Sequence, residues 1–280
     1  MNRELSGARR FWQTVASVAI IVYTVVPLLW ILNMSLKSTA DRADGKFWAH
    51  SPTLENYRLI FTGGAKNLFL PALRNSILVA VIATLVAVIL ATFCAYAIAR
   101  LDFPGKRMIL GTALTVSFFP VISLVTPLFD LWRRIHLFDT IPGLILPYLV
   151  LTLPLAIWTL SAFFQQIPWE MEQAAQVDGA TSWEAFRKVI VPLAAPGVFT
   201  TAIIAFFTAW NDFVFAMSLT SDQARTVPAA LAFFTGASQF ESPTGAICAA
   251  GVVVTIPVVL LVLLFQRQIV SGLTSGAVKG

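Results

Sequence analysis

Six stretches of this chain contain no Asp, Glu, Lys or Arg: residues 11–36, 75–99, 108–129, 140–169, 189–211 and 242–266. Even the shortest, 108–129, matches the roughly 20 residues that a helix rising 1.5 Å per residue needs to cross the hydrocarbon core of a bilayer. A core helix of a soluble domain turns one face to water and rarely runs that far without a charge. Only 12% of the chain is charged, against about 25% in soluble domains, so too little charge is present to clothe a water-facing surface. With no water to satisfy backbone groups, an open chain crosses a membrane only as helix. The sequence therefore predicts an all-α integral membrane protein of six transmembrane helices, at about 12–34, 73–98, 107–130, 141–163, 197–219 and 246–266.

An even number of spans places both termini on one side. With the N-terminus inside, the cytoplasmic face holds Arg9–Arg10 and the tight Arg100/Lys106/Arg107 loop, and basic residues so close to span ends favour that orientation. The expected organisation is a first span with a long extracytoplasmic loop (1–70), a transmembrane core (71–266) and a cytoplasmic tail (267–280). Arg9 and Arg10 before an apolar run resemble a secretory signal, but the run is too long and lacks a small-residue cleavage site, so it reads as a retained span. The net charge of +5 is scattered rather than gathered into a stripe, which argues against nucleic acid. Cys94 and Cys248 fall inside predicted spans and read as small apolar side chains. His50 and His136 lack neighbours at metal-ligand spacing, so no metal site is expected. Proline is frequent in the third and fourth spans (Pro120, Pro127, Pro142, Pro147, Pro154). It kinks helices, and interrupted helices often line transport paths.

The most informative segment lies between the fourth and fifth spans, at 168–192. Pro168 suits a helix start, with Glu170 and Glu172 at its positive end. Gly179 is placed to end that helix in a left-handed conformation. Thr181 and Glu184 have the spacing of a capping box opening a second helix, which Pro192 is expected to stop. Met171, Ala174, Ala175 and Asp178 share one side of the first helix, and Trp183, Phe186 and Ile190 one side of the second. The result is a cytoplasmic helix–turn–helix elbow, a compact knob suited to a partner's cleft.

This segment resembles the EAA loop of the permease subunits of binding-protein-dependent ABC importers. In that loop Glu-Ala-Ala is followed after three residues by Gly and later by Ile-x-Leu-Pro. Gln173-Ala174-Ala175, Gly179, and Val189, Val191 and Pro192 stand at the corresponding positions. Gln173 replaces the family's Glu, with Glu172 one position earlier. Trp210-Asn211-Asp212-Phe213 and the ending Gly272–Gly280 are similar to MalG-type carbohydrate permeases in particular. The resemblance implies the type I importer permease fold. It also implies coupling to an ATPase through Glu170, Glu172, Gln173, Ala174, Ala175, Asp178, Gly179 and Ala180. The implied partners are a second, MalF-like permease, two ATPase subunits carrying ATP and Mg, and an extracytoplasmic sugar-binding protein. The implied cargo is a sugar, such as the disaccharide trehalose, and the implied location the bacterial cytoplasmic membrane.

The residues themselves add two points. No Gly-x-x-x-x-Gly-Lys-Ser/Thr loop is present, so the chain lacks the usual cradle for nucleotide phosphates and is read as a non-enzyme that binds no cofactor itself. Asp212 lies inside the predicted fifth span, where a carboxylate is costly and faces a cavity or a partner. Trp210, Asn211 and Asp212 are therefore candidate sugar contacts, against the alternative of a helix-packing network. Asp130, Arg133 and Arg134 read as an exposed helix end. A permease for another small polar solute and an ion-coupled secondary transporter are the competing readings. The latter predicts several buried charges and inverted repeats, neither of which the sequence displays.

Overall fold

The computed structural model describes residues 7–43, 45–234 and 243–275. Among these the regular structure is helical. The helices are α1 (Gly7–Leu36), α2 (Thr39–Ala43), α3 (Glu55–Phe61), α4 (Lys66–Arg100), α5 (Lys106–Ser117), α6 (Ile122–Arg134) and α7 (Ile141–Gln166). There follow α8 (Trp169–Val177), α9 (Ser182–Ala185), a π-turn (Phe186–Ile190), α10 (Val191–Leu193), α11 (Ala195–Trp210), α12 (Val214–Leu219), α13 (Val227–Leu231) and α14 (Thr244–Ser275). Arg3, Lys279 and the end of the segment 226–240 lie outside the described residues, as do 276–280 of the tail.

Four helices are each long and apolar enough to cross a bilayer: Arg10–Leu36, Lys66–Arg100, Ile141–Gln166 and Thr244–Gln266. The other two expected spans are not straight rods. The third breaks between α5 and α6, which meet at 94°. Pro120 sits in that break, and the freed backbone closes tight three-residue turns, Phe118 N–H to Thr115 O and Ser123 N–H to Pro120 O, at 3.2 and 3.0 Å. Within the expected fifth, 197–219, α11 is followed after a break at 211–213 by α12, while the bent pair apolar enough to count as one span is 182–193 with α11. Proline alone does not break a helix here, since α7 runs unbroken through Pro147 and Pro154.

The chain forms two compact units. One comprises 1–70 with 233–256, the other 71–232 with 257–280. In the first, α2 and α3 give the long polar loop its structure, and buried Asn56 ties it to the end of α1. Its amide donates to the carbonyls of Ser35 and Lys37, both at 2.9 Å, and its oxygen accepts from Arg42 at 3.1 Å. In the second, α7 packs on α11 and α5. Its core joins Ala91 and Ala95 of α4 to Ala156, Leu160 and Phe164 of α7, to Ile190 at the end of the π-turn and to Ala194 beyond it. α11 approaches α7 so closely at Gly197 that an added Cβ would lie 2.4 Å from the Phe163 ring.

Asp139 pins the loop after α12. Its carboxylate accepts from the backbone N–H groups of Ser221, Asp222, Gln223 and Ala224 at 2.9–3.2 Å. Burial pushes this carboxyl up, but the donors of Ala224, Asp222, Ser221 and Gln223 outweigh it and hold it below the usual aspartate value. A depressed carboxyl stabilises the fold above its ordinary value near pH ~3.9 and loses that contribution as pH falls through the folded value. Asp139→Asn should therefore lower the thermal midpoint of the detergent-solubilised protein at pH 7. The loss should be about 1 kcal/mol after allowance for partial exposure, and the gap from wild type should narrow as pH drops below about 4.

Candidate functional site

The elbow forms as two short helices set against the ends of α4 and α7. Pro168 caps α8 from an extended conformation, with Glu170 and Glu172 in the first turn. At the other end Gly179 takes φ +90°, a conformation that side chains with a Cβ rarely adopt. Ala180 N–H reaches back to Ala175 O at 2.9 Å and Gly179 N–H to Gln176 O at 3.0 Å, the pair of bonds that closes a Schellman ending. Thr181 then opens α9 with a reciprocal capping box. Its Oγ1 accepts from Glu184 N–H at 3.3 Å, and Glu184 Oε2 accepts from Thr181 N–H at 3.1 Å.

The second helix does not stop at Pro192. Val191 N–H bonds back to Phe186 O across a π-turn, so Pro192 enters as the second residue of α10 without leaving a donor gap. The chain turns only at Ala194, where 182–193 and α11 meet at 71°. The wider turn absorbs the proline, and the bend falls where Ala194 and Pro196 begin the next helix.

The predicted coupling residues divide into two faces. Glu170, Gln173, Ala174, Asp178 and Gly179 are exposed, whereas Ala175 and Ala180 are half-buried. The exposed face is also apolar: Met171 is exposed and Val177 keeps 87% of its surface. Glu172 instead turns inward and is only 5% exposed. Its Oε1 accepts from the Tyr96 hydroxyl at 2.6 Å, and its Oε2 lies 3.7 Å from Arg100 Nε. Arg100 also donates to Ile167 O at 2.7 Å and stacks over the Trp169 ring at 4.7 Å. Phe93, Trp183, Phe186 and Tyr96 complete an aromatic wall between α4 and the second helix, with centroids 4.6–6.2 Å apart. Removing one member of a buried ion pair costs roughly 3–5 kcal/mol, which marks this contact as the firm side of the elbow. Tyr96 and Arg100 escaped the sequence reading because a partner more than seventy residues distant leaves no local pattern.

The break after α11 redefines the second candidate site. Trp210 is 3% exposed and stacks on Phe206 at 5.3 Å, so its ring faces protein. Asn211 is exposed, and its amide donates to Phe207 O at 2.9 Å. Asp212 lies not within a helix but between two. It accepts from the Tyr148 hydroxyl at 2.9 Å and from Ala216 N–H at 3.0 Å, with Phe215 N–H at 3.5 Å. These contacts tie the start of α12 to α7. Close by, Leu124, Pro127, Trp132, Pro147 and Phe215 line an apolar cavity of about 500 Å³, so two of the singled-out prolines do face open space. Arg133 and Arg134 are exposed in the last turn of α6.

Residues 87–275 match the family model described as "Binding-protein-dependent transport system inner membrane component". The chain is 57% identical over 277 residues to the trehalose transport system permease SugB of Mycobacterium tuberculosis, covering 98% of this chain and all of that one. It is 38% identical to the trehalose/maltose transport system permease MalG of Thermococcus litoralis, over 97% and 98% of the two chains. A crystal structure of a bacterial ABC transporter that imports the acidic polysaccharide alginate superposes with a TM-score of 0.79 at 21% identity, covering 95% of this chain and 99% of that one.

The capping box yields a local test. Thr181→Ala removes the side-chain acceptor of an N-cap, a loss of about 1 kcal/mol. Amide hydrogen exchange across 181–185 should quicken accordingly, while exchange in α7 stays unchanged.

Proposed function

This chain belongs to the family of binding-protein-dependent transport system inner membrane components, and from that membership we propose that it is a sugar-translocating permease subunit of an ATP-driven importer. The observation that carries the proposal is the exposed face of α8. Met171, Ala174 and Val177 present apolar surface beside Glu170, Gln173 and Asp178 on a segment bearing too much charge to sit in hydrocarbon. Such a patch is a docking surface, and a chain without a phosphate loop needs an ATPase partner to drive transport.

In this reading the chain crosses the cytoplasmic membrane six times within 1–266, with the broken helices α5–α6 and α11–α12 each serving as one span. Both termini and the elbow are cytoplasmic. The short helices at 182–193 belong to the elbow rather than to a span, since Glu184, Arg187 and Lys188 lie on them. A second permease completes the pore, two ATPase subunits hold ATP and Mg, and an extracytoplasmic binding protein delivers the cargo. The alginate importer, solved in complex with a cargo-bound periplasmic protein, supports that last partner. Identity to SugB supports trehalose as the cargo. The ATPase docks on Glu170, Gln173, Ala174, Asp178 and Gly179, with Ala175 and Ala180 shaping the turn behind them and Glu172 holding the elbow from within. Asn211 is the candidate for a direct cargo contact. Trp210 and Asp212 hold its backbone in place.

Gly179→Pro tests the proposal. Proline fixes φ near −65° and removes the N–H that closes the Schellman turn. Trehalose uptake by cells carrying the variant should fall at least about tenfold, the equivalent of roughly 1.4 kcal/mol of docking energy. The membrane content of the variant should stay normal, and less ATPase should co-purify. Unchanged uptake with a full complement of ATPase would remove the elbow from the mechanism.

A further inference from the structure

Among the acidic residues of the elbow, Glu172 alone is turned away from any partner, and the way it is held is unusual. Its side chain and that of Arg100 are 7% and 3% exposed. Glu172 Oε2 and Arg100 Nε face each other at 3.7 Å, and neither makes a hydrogen bond. A buried ion pair is poor value as plain stabilisation, since well-packed apolar residues of similar volume often do as well or better. What it adds is direction. Tyr96 and Arg100 stand four residues apart on one face of α4. From there they reach the α7–α8 junction at four points: Ile167 O, the Trp169 ring and both carboxylate oxygens of Glu172.

We propose that Tyr96, Arg100 and Glu172 form the joint through which movement of α8 is passed to α4, making them positioning residues for coupling. The inference rests on the elbow reading above and extends it from where force enters to how it leaves. The 3.7 Å gap is slack in this joint. A shift of about 1 Å brings Arg100 Nε–H onto Oε2 at the 2.7–2.9 Å of a charge-assisted hydrogen bond. A shift the other way weakens the attraction between two buried charges and leaves each to its neutral partners, Tyr96 and Ile167 O. Either displacement of α8 therefore acts on α4, and the Tyr96 hydroxyl keeps the carboxylate aimed while it happens. α4 is a single helix of 35 residues, so a push on its last turn is carried along its length.

The experiment is the complete importer in proteoliposomes, with ATP hydrolysed counted against radiolabelled trehalose taken up. Glu172→Gln removes the charge but keeps an oxygen for Tyr96. Tyr96→Phe removes the hydroxyl and leaves the ion pair and the ring packing. Tyr96→Phe should bind wild-type amounts of ATPase and still hydrolyse ATP, whereas Glu172→Gln, which leaves Arg100 without its charge partner, is read by its ratio at whatever ATPase content it retains. ATP consumed per sugar should rise about fivefold, as for mutations within a coupling network. The double variant should be no worse than the worse single one, the non-additivity of groups acting as a unit. A merely structural role would lower hydrolysis and uptake together and leave their ratio alone. That result, or an unchanged ratio in both variants, overturns the joint. A wild-type complex that binds no ATPase overturns the elbow reading and the joint with it.

Discussion

Inside a bilayer, a backbone N–H or C=O without a partner costs several kcal/mol. That single constraint accounts for most of what this chain does with its sequence. It makes the apolar stretches helical and requires every interruption to carry its own replacement bonds. At 118–121 tight turns supply them around Pro120. In the elbow, away from the spans of the proposed reading, a π-turn at 186–191 closes the backbone ahead of Pro192. At 211–213 the replacement comes from side chains. Asp212 accepts from Phe215 N–H and Ala216 N–H of α12, the Tyr148 hydroxyl donates to the oxygen that Ala216 also reaches, and the Asn211 amide donates to a carbonyl of α11.

The same logic separates two kinds of polar residue. Asp139, Asp212 and Asn56 are spent on backbone groups and fix loops and breaks. Glu172 and Arg100 face each other and also hold the Tyr96 hydroxyl and Ile167 O, with one atom of each left without a hydrogen bond. The outward side of α8, by contrast, is small and apolar, with acidic residues at its margins. The elbow thus has one exposed face and one gripped by its own chain, the geometry on which the proposed coupling role rests.

Much of this was legible in the residues. Charge-free runs gave helices, Gly179 and the Thr181/Glu184 spacing gave the turn and the cap, and a handful of matching positions gave the family. The misses share a cause. Asp212 read as lying within a continuous helix because hydropathy sees composition and not the break after Trp210. Pro192 read as a stop because a proline rule presumes α-helical bonding, which the π-turn relaxes. Tyr96, Arg100 and Asp139 act through partners distant in sequence, and no local periodicity encodes that.

The central claim is that the exposed face of α8 meets an ATPase. Disulfide crosslinking reports on it most directly, with Val177→Cys in a background of Cys94→Ser and Cys248→Ser. The account predicts a crosslinked band with the ATPase subunit, formed from the cytoplasmic side and changed in yield by ATP. Reaction of that cysteine with a membrane-impermeant reagent from outside intact cells, with no crosslink under any nucleotide condition, would contradict it.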